Sequence, residues 1–171
     1  VDEVAQHGRG RVVVLGGDSG LGHGLLCRWL RDDCSSWDDV RAGVEAVQGQ
    51  GDLRWVTRLL AGALRLGNDA SAHRLKTVVS RVLGRALLDA EVSTVLAASG
   101  WWYGGRADVD VLATLIVEIA TKTPLILCLT GLEKIGPEGL DLILSIAARM
   151  ETAPSRLLLV LCIEREGLAE R

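Results

Sequence analysis

The sequence predicts an α/β domain: a three-layer sandwich with a mostly parallel sheet and a helix-rich insertion between the first and second recognisable strands. Three observations predict it. Short continuous apolar runs at Arg11–Leu15, Leu125–Leu129 and Leu157–Ile163 read as parallel strands covered on both faces. Stretches with apolar residues at helical spacing lie between them. The first run opens into a turn dense in glycine, Gly16-Gly-Asp-Ser-Gly-Leu-Gly-His-Gly24, with a helix beginning near Leu25. The order strand, helices, strand, helix, strand implies a sheet joined by crossover helices.

Each further element has its own signal. Leu25–Arg31 continues the glycine turn as a helix. Asp38–Val47, Leu53–Leu66, Ala72–Leu88 and Val92–Ala98 read as helices, with Gly49-Gln-Gly51, Gly67-Asn-Asp69 and Gly100 as breaks. Trp101-Trp-Tyr-Gly-Gly105 reads as a loop whose aromatic payload packs on the domain surface. Val109–Thr121 places apolar residues at 109, 112, 115, 116 and 119, a helical stripe. Lys122-Thr-Pro124 ends it. Gly136-Pro137-Glu138 opens another helix with proline in its first turn, running to about Met150. The whole chain, 1–171, reads as one domain: loop strand and helix (10–35), helical segment (36–108), then strand, helix and strand (109–171).

Composition bounds the function. The 171 residues are 49% hydrophobic and 4% aromatic, with net charge −3; mean hydropathy is +0.27 and the pI about 5.6. The aliphatic excess suits a large core, or a surface covered by other domains or subunits. The opening at Val1 fits a piece of a longer chain. Without a basic block, nucleic acid is not expected as a partner. No run suffices to span a bilayer, since Val109–Ala120 contains Asp110 and Glu118, and no signal pattern is visible. Cys27, Cys34, Cys128 and Cys162 lack metal spacing and read as buried free thiols of a reducing, cytoplasmic compartment. His7 and His73 have no neighbours at ligand spacing.

The glycine turn supports three interpretations. A strand, a glycine turn and a helix N-terminus together cradle anions through backbone N–H groups. Gly17 and Gly22 fall on the glycines of the phosphate loop G-x-x-x-x-G-K-[ST], but His23 stands for the lysine and Gly24 for the hydroxyl residue. Histidine is shorter and largely neutral at pH 7, and glycine offers Mg²⁺ no side-chain ligand. Leu15-Gly16-Gly-Asp-Ser-Gly20-Leu-Gly22 equally resembles the cofactor loop of short-chain dehydrogenases, T-G-x-x-x-G-x-G. Their Tyr-x-x-x-Lys pair is missing, since Tyr103 is followed four residues on by Ala107. Third, the glycines can simply make a tight strand-to-helix turn.

A second segment decides among them. Pro124-Leu-Ile-Leu-Cys-Leu-Thr-Gly-Leu-Glu-Lys-Ile-Gly-Pro-Glu-Gly-Leu-Asp-Leu-Ile143 resembles the AAA-like ATPase module of the signal-transduction (STAND) P-loop ATPases. Such modules occur in large LuxR-type regulators, multidomain adenylyl cyclases and NACHT proteins. There an apolar strand ends in acidic residues, and a turn with proline leads into a Leu-rich helix. Pro124, Leu132, Pro137, Leu140 and Asp141 fit that frame. Arg156–Arg165 resembles the next strand, with Arg165 near the position where the family senses the γ-phosphate. The resemblance covers about residues 10–166.

The departures from the family carry the functional expectation. The two acidic positions that serve Mg²⁺ and the attacking water are Thr130 and Gly131 here. Glu133 reads as a solvated turn carboxylate. Lysine, hydroxyl and both acids are gone together, and losing even one member of such a unit costs several kcal/mol of transition-state stabilisation. The resemblance therefore implies a catalytically inactive ATPase-like scaffold or interaction domain within a larger protein or assembly. Its degenerate nucleotide site would comprise Gly17, Gly20, Gly22, His23, Gly24, Thr130 and Arg165, without metal or catalytic residue. No cofactor is expected, although the backbone N–H groups of Gly20–Gly24 leave a weak, metal-free hold on ATP or ADP open. The expected partners are other protein domains or subunits. The alternatives are a nucleotide-binding switch without hydrolysis and an inactive dehydrogenase relative. Leu21, His23 or a neighbour is expected to fill the space between the loop and Thr130.

Overall fold

A computed structural model describes residues 8–18, 20–34, 40–47, 53–66, 71–100 and 106–165, the last without its side chain. Within these the chain forms four strands and six α-helices. In order they are β1 (Arg11–Asp18), α1 (His23–Cys34), β2 (Arg41–Ala46), α2 (Arg54–Ala63), α3 (Ala72–Leu83), α4 (Asp89–Ala98), α5 (Val109–Lys122), β3 (Leu125–Thr130), α6 (Pro137–Thr152) and β4 (Leu157–Arg165). A short 3-10 turn, Leu132–Lys134, follows β3. The sheet is wholly parallel, with strand order β1-β4-β3-β2.

Register assigns the two faces. Leu125, Leu127 and Leu129 of β3 lie level with Leu157, Leu159 and Leu161 of β4. These leucines belong to the main core with Leu59 of α2, Leu75 of α3, Val95 of α4, Leu112 of α5 and Leu142 of α6. The opposite face carries Ile126, Cys128, Leu158, Val160 and Cys162, which join Cys27 and Cys34 of α1 and Val40 in a second, smaller cluster. Helices thus cover both faces, five on one side and α1 on the other.

Local chemistry explains the boundaries. The Asp108 carboxylate accepts from the Asp110 and Val111 backbone N–H groups at 2.9 and 3.1 Å and starts α5. Ser71 does the same for α3 through Arg74 N–H. Gly84, in the left-handed region at φ 70°, ends α3 before the expected Leu88. Pro137 opens α6 as expected. The carboxylate of Glu91 accepts from Leu88 N–H at 2.7 Å and from Arg85, and Arg85 also reaches Glu118 of α5. That clamp ties the α3–α4 turn to α5, and Arg85 holds the Glu91 carboxyl below the usual carboxylate range.

Two expectations need correction. The segment expected as a helix over 38–47 contains a strand, β2, paired with β3 from Arg41↔Leu125 to Ala46↔Thr130. The insertion is therefore not purely helical, and β3 is the second recognisable strand but the third in sequence. Val40, Ala42 and Val44 join the α1-side cluster, a period-two pattern hidden by small residues. Gly43 faces α2, where a Cβ would stand 2.4 Å from the Leu59 carbonyl oxygen and 3.1 Å from Ala63 Cβ. Only glycine lets β2 and α2 approach so closely. The second correction concerns β1. It was expected to be covered on both faces, but it is an edge strand with Val12, Val13 and Val14 exposed by 40, 40 and 59%.

Candidate functional site

The glycine turn joins β1 to α1. Leu21 N–H donates to the Asp18 carbonyl at 3.3 Å, and the Leu25 and Leu26 N–H groups donate to Gly22 carbonyl at 2.9 Å. Gly20 (φ 88°) and Gly22 (φ 84°) both occupy the left-handed region, which favours glycine. His23 opens α1. The helix therefore starts two residues before Leu25, and with Leu25 and Leu26 bonded to Gly22 only the His23 and Gly24 N–H groups of its first turn lack an intrahelical acceptor.

The tips of two turn side chains lie near Gly17, although Leu21 is 69% exposed and His23 only half-buried. A Cβ built on Gly17 would lie 2.9 Å from Leu21 Cδ1 and 3.0 and 3.1 Å from His23 Cε1 and Nε2. Leu21 and His23 thus lie against the backbone at the mouth of the turn. The His23 Nδ1 atom is buried with no hydrogen-bond partner among the described residues. Gly24 has no comparable constraint: its nearest non-local neighbour is Arg28 Nη2, at 3.9 Å from a built Cβ.

Across the sheet, β3 ends at Thr130. Its carbonyl accepts from Val47 N–H at 2.8 Å, which fixes the end of β2. Gly131 follows at φ 75°, and Lys134 N–H returns to its carbonyl at 3.0 Å. Glu133 is an exposed residue of the turn, as expected. Its Oε2 also accepts a long hydrogen bond from Glu164 N–H of β4, at 3.4 Å. Sequence reasoning missed this contact because its partner is a backbone amide 31 residues away.

The registers locate these groups relative to one another. Leu129 pairs with Leu161, so Thr130 is level with Cys162. Cys162 pairs with Leu15, so Thr130 and Leu15 share a height and the glycine turn begins one residue further on. Because β4 lies between β1 and β3, their separation is two strand spacings, about 10 Å. Asp18 pairs with Arg165 across the β1–β4 ladder. Gly17 is the last residue but one of β1, Gly20, Gly22, His23 and Gly24 follow that strand, and Thr130 and Arg165 end β3 and β4. All lie at the carboxyl ends of the strands, where open α/β sheets hold their ligands.

Charge at the strand ends comes from Asp18 of β1 and Arg165 of β4. Neither lysine nor hydroxyl residue follows Gly22, and no carboxylate occupies 130 or 131. Among the described residues no group of three or more His, Cys, Asp or Glu could hold a metal. His73 is exposed on α3, while His7 and Trp101–Gly105 lie outside the described residues. Cys27, Cys34, Cys128 and Cys162 are free and buried. Cys27 and Cys162 bring their sulfurs to 3.4 Å. The Cys128 thiol and burial raise the Cys27 pKa, while burial pushes Cys162 up to about 12, so both stay protonated and inert. No helix among the described residues is long and apolar enough to cross a membrane.

Comparison of this chain with family models, with curated proteins and with solved structures gave no match.

Proposed function

We propose that the chain is a degenerate P-loop ATPase-like domain of the STAND type, kept as a non-catalytic scaffold for other protein domains or subunits. The observation that carries this reading is the placement of the two motif segments. The glycine-turn strand β1 and the strand bearing Thr130 sit with β4 between them, and the lysine and acidic residues of the family's pattern are missing at the matched positions His23, Thr130 and Gly131. In a dinucleotide-binding sheet, of order 3-2-1-4-5-6, the first strand lies beside the second. Here β1 and β2 form opposite edges, which counts against the dehydrogenase-type alternative.

The chemistry supports loss of hydrolysis more firmly than loss of binding. Hydrolysis of a nucleoside triphosphate needs a cation on the β/γ-phosphates, a held Mg²⁺ and a positioned water. His23, Gly24, Thr130 and Gly131 provide none of these. The second reading, a switch that binds nucleotide without cleaving it, is favoured by one feature: the His23 and Gly24 N–H groups at the start of α1, which have no intrahelical acceptor.

Thermal denaturation with and without nucleotide separates the two. A ligand that binds only the folded state at 100 times its Kd stabilises by about 2.7 kcal/mol. The scaffold reading predicts an unchanged midpoint in millimolar ATP or ADP, with or without Mg²⁺. A concentration-dependent rise, removed by Gly22→Val, would instead establish the switch.

A further inference from the structure

We propose that Cys27 and Cys162 are the two halves of a redox latch, which join in a disulfide under oxidising conditions and tie α1 to β4. The latch is independent of the nucleotide reading.

The cysteines are not spread through the interior. All four of the chain lie in the smaller cluster, between α1 and the sheet, where they make up half of the eight buried residues. The main core has none. Cys27 and Cys34 are the buried residues of α1. Cys128 and Cys162 meet them from the neighbouring strands β3 and β4. A cysteine alone packs as a small hydrophobe, but that does not require all four to share one face of the sheet.

Geometry selects one pair. The Cys27 and Cys162 sulfurs stand 3.4 Å apart, and both residues are fully buried. Disulfide sulfurs lie about 2.05 Å apart, and small rotations about the two Cα–Cβ bonds close such a gap. Cys34 is two helical turns further on, about 10 Å from Cys27 along α1. Cys128 is level with Val160, two residues before Cys162 and one strand over. Metal binding is the other chemistry a group of thiols offers. Among the described residues, however, no group of three or more His, Cys, Asp or Glu could hold an ion.

In the closed fold both thiols are sealed in and protonated, so the bond forms while the chain folds or refolds, when they are exposed and ionise normally. The oxidant is a low-molecular-weight disulfide such as glutathione disulfide. One cysteine thiolate attacks it, which gives a mixed disulfide and releases one small thiol. The other cysteine thiolate then attacks the protein sulfur of the mixed disulfide. That step forms the Cys27–Cys162 bond and releases the second small thiol. Two electrons pass from the cysteines to the small disulfide, and the two cysteine protons end on the released thiols. The bridge spans 135 residues of sequence and so constrains the unfolded chain strongly. It also fastens the one helix on its face of the sheet, the helix that the glycine turn opens. In a reducing compartment the latch stays open; oxidation closes it.

Refolding of the whole chain tests the latch. Chain unfolded and reduced in guanidinium is diluted into a mixture of reduced and oxidised glutathione, and in parallel into dithiothreitol. Trypsin leaves the four cysteines on separate peptides, with Cys27 on Val12–Arg28 and Cys162 on Leu157–Arg165, so mass spectrometry reads the pairing directly. The glutathione sample should show those two peptides joined, two thiols instead of four in denaturant, and a higher guanidinium midpoint that dithiothreitol abolishes. Cys34→Ala should keep the bridge, and Cys162→Ala should lose it together with the rise in midpoint. Four free thiols after refolding in glutathione, a bridge from Cys27 to Cys34 or Cys128, or a Cys27–Cys162 bridge that leaves the midpoint unchanged would each overturn the proposal.

Discussion

The imidazole of His23 lies against Gly17, close enough that a Cβ at Gly17 would stand 3.0 Å from its Cε1. The residue in the lysine position of the phosphate-loop pattern thus turns back onto the turn that leads to it. Gly17 has become a packing partner for His23 and Leu21.

Replacing Gly17 by alanine should therefore destabilise the fold. The added methyl meets the outer atoms of the Leu21 and His23 side chains inside ordinary contact distance; Leu21 is 69% exposed and can swing aside, so the cost is at the low end of overpacking penalties, about 1 kcal/mol. The neighbouring Gly24→Ala change behaves oppositely. Gly24 lies within α1 with room around it, and alanine in a helix gains up to about 1 kcal/mol over glycine. Urea titrations of the two variants should shift in opposite directions; equal shifts would show that Leu21 and His23 do not pack on Gly17.

Gly43→Ala should be strongly destabilising. Its Cβ would press 2.4 Å from the backbone carbonyl of Leu59, and backbone cannot swing aside as a side chain can. A loss of about 3 kcal/mol is expected, the upper end of overpacking penalties. The denaturation midpoint reads this directly, and a neutral substitution would contradict the close β2–α2 contact.

The Arg85–Glu91–Glu118 clamp gives the fold an acid-sensitive component. Glu91 is 7% exposed, and Arg85, followed by the Leu88 amide, lowers its pKa. A carboxyl depressed in the folded state contributes stability above its unfolded pKa and loses it as pH falls through the folded value. Glu91→Gln should lower stability at pH 7 by about 2 kcal/mol, in the range for hydrogen bonds to charged groups. It should also flatten the pH dependence of stability below pH 4.5. An undiminished acid slope in the variant would assign that dependence to other carboxylates.

The four thiols should be silent in the folded protein. All are buried, and the pKa values of Cys27, Cys34 and Cys162 are raised, which leaves little thiolate. A thiol pKa raised by folding contributes stability that is fully present below the unfolded pKa and is lost as pH rises through the folded one. Dithionitrobenzoate at pH 8 should label cysteines only at the rate of unfolding, and four per chain in denaturant. Rapid labelling of one cysteine without denaturant would show that α1 opens locally.

The sequence carried most of the fold but not its edges. α5 and α6 were legible because Asp108, Pro137 and the Leu/Ile stripes agree on start, face and length. β2 was not, because Ala42, Gly43 and Ala46 give a weak hydrophobic alternation and Gly43 looks like a break. The exposure of β1 was hidden for another reason: a run of valines reads alike whether a neighbouring strand covers it or not. At the candidate site the glycine positions could be read directly, and Gly20 and Gly22 need their residue type for backbone reasons. The approach of His23 to Gly17 and the hydrogen bond from Glu164 N–H to Glu133 depend on contacts that no local pattern encodes.

Steady-state and single-turnover assays of the whole chain with γ-labelled ATP and Mg²⁺ test the central claim most directly. The account predicts no phosphate release above the uncatalysed background, and no change on Gly22→Val or Thr130→Ala. Mg²⁺-dependent release that either substitution abolishes would contradict it.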